Sequence, residues 1–262
     1  MPRDSVVISS LALLCLQAMP ALAQTRRAPV VVELFTSEGC SSCPPADQFL
    51  TRLQREQPIP GVEIIALGEH VDYWNRLGWR DPYSSAEFTA RQQRYAQVFG
   101  NDGAYTPQMV VDGRAEFVGS DAGRARLAIE TAARLAKVDV QLARAPKSVP
   151  TPDQIALQVR VESLPAGSAR SAADVLLAIT EDNLATNVSR GENAGRKLSH
   201  TGVVRKLSVI GKVNPRQTPA FSAEPGVAID NVWKRENLRA VVLVQERASG
   251  RVLGAAAVPL AE

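Results

Sequence analysis

The sequence predicts a mixed α/β domain followed by an all-β sandwich. Three observations point there. Residues 29–137 alternate β-branched apolar runs with stretches of helical periodicity. Residues 138–262 carry only short runs, several alternating with period two, separated by Pro, Gly, Ser and Asn. The chain has 262 residues and 45% apolar content, enough to bury one large core or two modest ones.

In the first part, "PVVVELF" (29–35) is a β-branched run suited to a buried strand. "PPADQFLTRLQRE" places Ala46, Phe49, Leu50 and Leu53 on one helix face, with Pro44 in the first turn, where its missing N–H costs nothing. "GVEIIAL" (61–67) is a second strand. "SSAEFTARQQRYAQVFG" opens with Ser84 and Glu87 spaced as a capping box and stops at Gly100, with Phe88, Tyr95 and Phe99 on its buried face. "PQMVVDGRAEFVG" reads as a hairpin turning at Asp112-Gly113. A last helix aligns Ala125, Ile129, Ala132 and Ala136. The order is β-α-β-α-β-β-α, with an aromatic-rich connection, "GEHVDYWNRLGWRDPYS", after the second strand.

In the second part, six runs read as strands: "VDVQL", "IALQVRV", "DVLLAIT", "GVVRKLSVI", "AVVLVQE" and "RVLGAAAV". Ile155, Leu157, Val159 and Val161 face one way. A sandwich of about seven strands accommodates them. The expected division is 28–137 and 138–262, with "RAPKSVPTPDQ" as a competing linker.

The first 23 residues read as a secretory signal peptide: a basic residue near the start, an apolar run, and "ALA" before Gln24. The expected location is periplasmic or secreted, and the expected membrane contact is limited to this transient segment. Cleavage after Ala23 removes Cys15 and leaves Cys40 and Cys43 alone in an oxidising compartment. Pairing with a distant cysteine and a four-cysteine zinc site are both excluded by that count. A disulfide closing so short a loop constrains the unfolded chain little, so a purely structural staple is weakly motivated. Redox chemistry leads, and metal binding follows. No cofactor is expected. A net charge of +3, without a dense Lys/Arg block, gives no support to a nucleic-acid partner.

Cys40 falls just ahead of the helix that starts near Pro44. Free N–H groups and the positive dipole end there favour thiolate, so Cys40 is the expected attacking thiol and Cys43 the resolving one, deeper in.

Together "ELFTSEGCSSCPPAD", "EHVDYWNRLGWRDPYSS", "RQQRYA", "YTPQMVVDG" and "RGENAGRKLSHTGVVR" resemble the secreted thioredoxin-like family known as domain of unknown function 1223. The resemblance implies a thioredoxin-like first domain, thiol–disulfide exchange with protein thiols or disulfides of the envelope, and a cis-proline facing the redox pair. Pro107, preceded by Thr106, occupies that position, and the backbone at Thr106 is then expected to pair with a substrate peptide beside Cys40. Two departures from thioredoxin stand out. Ser-Ser replaces Gly-Pro between the cysteines, so the redox poise does not carry over. The nearest acid in the first strand is Glu33, which is either a base for Cys43 acting through water or a strand-edge carboxylate facing solvent.

His70, Asp72, Tyr73 and Trp74 cluster after the second strand, at the sheet end that carries Cys40. His70 is either a partner of the Cys40 thiolate, a metal ligand, or a hydrogen-bonded residue packing a long loop, with Glu69 as the neighbour expected to orient its ring. Trp74 is either a substrate platform or loop core, as is Trp79. Arg190, Glu192, Asn193, Arg196 and His200 form either a solvated loop or a polar network docking the second half to the first. Two other functions compete with exchange: a Cu(I)-binding or metallochaperone module using Cys40, Cys43 and His70, and a non-catalytic binding module.

Overall fold

A computed structural model of the chain describes residues 27–146, 154–164, 171–215, 217 and 220–261. The expected signal segment, 1–23, and residues 147–153 of the competing linker lie outside these. Among the described residues the protein is mixed α/β, with large sheets and three α-helices.

The first part runs β1 (Ala28–Thr36), α1 (Pro44–Glu56), β2 (Val62–His70), α2 (Ala86–Phe99), β3 (Gln108–Val111), β4 (Ala115–Val118) and α3 (Ala122–Ala133), the order read from the sequence. β1 pairs parallel with β2 and antiparallel with β3, which pairs with β4. β1 reads as an unbroken apolar run because both of its faces are covered. Val30, Val32 and Leu34 meet Ala46, Leu50 and Leu53 of α1 and Ala125, Ile129 and Ala132 of α3. Each buried Leu of α1 contributes about 1.5–3 kcal/mol. Val31, Glu33 and Phe35 face the other way, toward α2. The β3–β4 hairpin turns through positive φ at Asp112 (49°) and Gly113 (60°), as Asp-Gly predicts.

Two local readings change. The cap of α2 is Ser85, whose side chain accepts from the Glu87 N–H, while the Ser84 hydroxyl donates to the Asp81 carbonyl. α3 stops at Ala133, so Ala136 is exposed beyond its end.

The second part runs β5 (Val140–Arg144), β6 (Gln154–Val161), β7 (Ala173–Glu181), β8 (Leu184–Asn187), β9 (Lys197–His200), β10 (Val203–Val213), β11 (Phe221–Ala223), β12 (Gly226–Ala228), β13 (Leu238–Glu246) and β14 (Val252–Pro259). Helical structure among its described residues is limited to one short 3₁₀ turn, Arg235–Asn237. The halves do not keep separate sheets. β14-β13-β7-β10-β2-β1-β3-β4 form one eight-stranded sheet, joined where β10 lies parallel to β2 at Val203 and Gly68. Glycine permits this join. The Gly68 N–H donates to the Gly202 carbonyl at 2.7 Å, and a Cβ on Gly202 (φ 63°) would lie 2.6 Å from the Ala66 carbonyl oxygen. A smaller sheet, with β6 between β11, β12 and β5, packs its Ile155, Leu157, Val159 and Val161 against β7 and β13. β8 and β9 form a separate hairpin. No helix among the described residues is long and apolar enough to cross a membrane.

Candidate functional site

β1 ends at Thr36, and the chain turns through Ser37–Ser42 before α1 begins. The Cys40 N–H donates to the Ser37 carbonyl at 3.1 Å, and the Cys43 N–H to the Cys40 carbonyl at 3.2 Å. Cys43 is the residue just before α1, and its carbonyl accepts from Ala46 and Asp47. Cys40 and Cys43 form a disulfide with their Cα atoms 5.4 Å apart. The expected exposure asymmetry is absent: both cysteines are fully buried, while Ser41 and Ser42 between them are exposed.

The Thr106–Pro107 peptide bond is cis. Pro107 is buried where β3 begins. A Cβ on Gly119 would lie 3.2 Å from both Pro107 Cβ and Ala46 Cβ, so the proline ring and the first turn of α1 face each other across that glycine. The Trp74 indole N–H donates to Thr106 Oγ1 at 2.8 Å. Trp74 is half-buried and packs on Gly39, where an added Cβ would meet its own Cβ at 3.0 Å. Trp74 thus bridges the residue before the cis-proline and the loop that carries Cys40.

Beneath this loop lies a buried polar cluster assembled from both halves. Glu38 is fully buried. Its backbone N–H donates to Asp81 Oδ2 at 2.8 Å, its Oε2 accepts from Trp79 Nε1 at 2.8 Å, and its Oε1 is 3.1 Å from His200 Nε2. His70 Nδ1 is 2.7 Å from Asp81 Oδ2. The two imidazole rings meet edge to face at 4.8 Å, with Tyr83 packed against both. Asp47 lies one helical turn after Cys43, buried on the same side of the sheet as His70.

Burial sets the electrostatics here. It disfavours charge on His70, yet Asp81, then Asp47 and Glu38, raise the imidazole above its ordinary value. Burial likewise opposes ionisation of Asp81, but His70 and two backbone N–H groups hold its carboxyl below the usual range. For Asp47 burial wins, and its carboxyl is raised despite His200 and His70 nearby. Burying so many ionisable groups is costly unless they are paired, and such clusters concentrate at functional sites.

The segment 190–200 docks onto the cysteine loop. Asn193, fully buried, donates through Nδ2 to the carbonyls of Glu38 and Cys40, both at 2.9 Å. The Ser41 N–H donates to Glu192 Oε2 at 3.0 Å, and Arg196 Nη1 donates to Asn193 Oδ1 at 3.0 Å. Of the two readings of this segment, the docking network is the one the contacts describe.

Two sequence readings are corrected. Glu33 does not approach the cysteines. It projects to the opposite face of the sheet, where Arg91 Nε donates to its Oε2 and the Tyr95 hydroxyl to its Oε1, each at 2.7 Å. Nor does it face solvent, for it is fully buried. Glu69 does not orient His70: it joins Glu33 on the α2 face, 3.2 Å from Arg91, and Asp81 holds the ring instead. Among the described residues no three His, Cys, Asp or Glu side chains are grouped to hold an ion. Asp47, Asp81 and Glu38 were missed. For Asp47 a signal was present, the i, i+4 spacing from Cys43 beside the apolar face of α1.

The profile of the family described as "Protein of unknown function (DUF1223)" matches residues 31–245. The chain belongs to this family. The match covers the cysteine loop, the cis-proline and the docking segment alike, so the DUF1223 unit includes both halves of the site. Among solved structures, the chain is similar to the crystal structure of a protein from Agrobacterium tumefaciens, with 29% identity and a TM-score of 0.68, covering 89% of this chain and 95% of that one. A domain of the outer membrane lipoprotein Omp28 from Porphyromonas gingivalis is 13% identical with a TM-score of 0.29, covering 48% of this chain and 89% of that one, a likeness too slight to argue from. No match is found among curated proteins.

Proposed function

We propose that this DUF1223 protein is a periplasmic or secreted, thioredoxin-like protein that exchanges disulfides with protein substrates through Cys40 and Cys43. In this reading β2-β1-β3-β4 with α1, α2 and α3 is the thioredoxin-like unit, and the remaining strands are a β-sandwich built onto its sheet edge. The observation that carries the reading is the Cys40–Cys43 disulfide at the start of α1, with cis Pro107 against the same helical turn.

A substrate thiolate attacks Cys40 Sγ. The Cys40–Cys43 bond breaks, and its electron pair leaves on Cys43. A second substrate thiolate then attacks the substrate sulfur of the mixed disulfide and releases Cys40. Two substrate thiols become a disulfide, and the protein gains two electrons and, on protonation, two protons. The reduced protein runs the same steps backward. Catalysed reduction of insulin, or catalysed oxidation of a reduced unfolded protein, tests the reading. A rate no faster than that of the variant lacking both cysteines would leave the pair as a structural link in a binding module.

With Glu33 on the wrong face, this reading takes Asp47 as the group that exchanges a proton with Cys43. It shares that residue's buried side, and burial brings its carboxyl nearer to a thiol in basicity. Asp47→Asn is expected to slow resolution of a mixed disulfide by about 10²-fold, the lower end for a lost acid–base group. It should also remove the inflection that Asp47 gives the pH–rate profile of that step. A merely structural Asp47 would lower stability and leave the inflection in place.

A further inference from the structure

Two surface segments that meet beside the cysteine loop are crowded with cations. Arg76 and Arg80 lie in the connection after β2, and Arg190, Arg196 and Lys197 in the docking segment; all five are exposed. The segments touch at Gly191, where an added Cβ would lie 3.1 Å from Trp79 Cβ and 3.6 Å from the Leu77 carbonyl oxygen. The acids of these stretches do not balance them. Asp72 is half-buried and accepts from the Thr89 hydroxyl, Asp81 is buried against His70, and Glu192, which accepts from the Ser41 N–H, is the one exposed carboxylate set against the five cations. Among the described residues no carboxylate pairs with Arg76, Arg80, Arg190 or Lys197. The whole chain carries only +3, so this is a local concentration rather than a general surplus. Leu77, 49% exposed in the same stretch, adds an apolar contact.

We propose that this patch is the docking surface for an acidic protein segment bearing the thiols or disulfide on which Cys40 acts. The proposal rests on the exchange reading and adds the substrate class to it. Like-signed charge lining one surface raises the local concentration of oppositely charged partners and speeds their encounter by about 10–10³-fold, an advantage that salt removes. A fixed cationic surface, tied to the Cys40 carbonyl through Asn193, presents a bound acidic segment at the exposed Ser41–Ser42 edge of the disulfide.

The test uses two synthetic dithiol peptides that differ only in flanks, acidic or basic. Each is mixed with the oxidised protein, and formation of peptide disulfide with loss of the Cys40–Cys43 bond is timed. The acidic peptide is expected to react at least ~10-fold faster at low salt, and the preference should vanish at high salt. It should invert in a variant with Arg76, Arg190 and Lys197 replaced by glutamate, while the rate with β-mercaptoethanol stays unchanged. Equal rates for the two peptides would overturn the proposal. So would binding to anionic phosphatidylglycerol vesicles with no peptide preference, which assigns the patch to a membrane surface. If neither peptide reacts, the exchange reading fails. The serine versions of both peptides, followed by fluorescence anisotropy, then decide the patch separately: selective capture of the acidic one sustains it, and equal or no capture ends it.

Discussion

Replacing Cys43 by serine is expected to accumulate mixed disulfides between Cys40 and partner proteins, whereas Cys40→Ser accumulates few or none. The two positions differ in what holds them. Cys43 opens α1, and its carbonyl accepts from both Ala46 and Asp47, so exposing its sulfur requires unwinding the first helical turn. Cys40 sits in the loop before it, next to exposed Ser41 and Ser42, and a shift of that loop that breaks its bonds to Asn193 and Glu192 uncovers it with α1 intact. Without Cys43 the mixed disulfide on Cys40 has no internal thiolate to release it. Non-reducing gels of the purified variants after incubation with envelope extract, followed by mass spectrometry of the adducts, read the result. Equal trapping by both variants would show that the helix start does not shelter Cys43. No trapping by either would remove exchange on proteins from consideration. The burial of Cys40 adds a second expectation on the same gels: Asn193→Ala, which frees the Cys40 carbonyl from the docking segment, should hasten adduct formation in the Cys43→Ser background.

The backbone plan was legible because it depends on local signals. β-branched runs marked β1 and β2, the i, i+3, i+4, i+7 spacing marked α1, and Asp-Gly marked the β3–β4 turn. The junction of the halves was not legible. It rests on β10 meeting β2 at Val203 and Gly68, and period-two alternation says which face a residue takes, not which strand lies beside it. The site divides the same way. Cys40, Cys43 and Pro107 could be placed from motif and element order. Glu38, Asp81 and His200 could not, because their partners come from three separate segments that only the fold brings together. Alternation did carry one unused warning. In a strand covered on both faces, Glu33 had to be buried wherever it pointed, and a buried carboxylate requires a partner; the partner, Arg91, stands 58 positions along.

Arg91→Met is expected to destabilise the protein by about 3–5 kcal/mol at neutral pH, the cost of removing one partner from a buried ion pair. Arg91 reaches Glu33 at 2.7 Å, Glu69 at 3.2 Å and Gln245 Oε1 at 2.8 Å, and lies over the Tyr95 ring at 5.3 Å. Methionine keeps the unbranched stem but leaves Glu33 and Glu69, both fully buried, without a cation. The loss should depend on pH with a definite sign. Burial already raises the Glu69 carboxyl well above its ordinary value, Arg91 partly offsets this, and Glu33 adds to it. Removing the offset raises it further. A carboxyl with a raised folded value holds a proton that the unfolded chain has released, so the stability it supports is full below the unfolded value and is lost as pH rises through the folded one. The gap between wild type and variant should therefore be widest at mildly alkaline pH and narrow toward about pH 5, as the orphaned pair takes up a proton. Urea midpoints across that range measure it. A gap that ignores pH would mean that Arg91 acts through packing alone. Adding Glu69→Gln to Arg91→Met should recover part of the loss at the alkaline end, since an amide buries there without charge. Because Gln245 lies in β13 and its Nε2 also donates to the Tyr95 hydroxyl at 2.7 Å, the same variant loosens the contact of α2 with the C-terminal strands. Hydrogen exchange at β13 should then rise more than at β3, which lies on the far side of β1 from that junction.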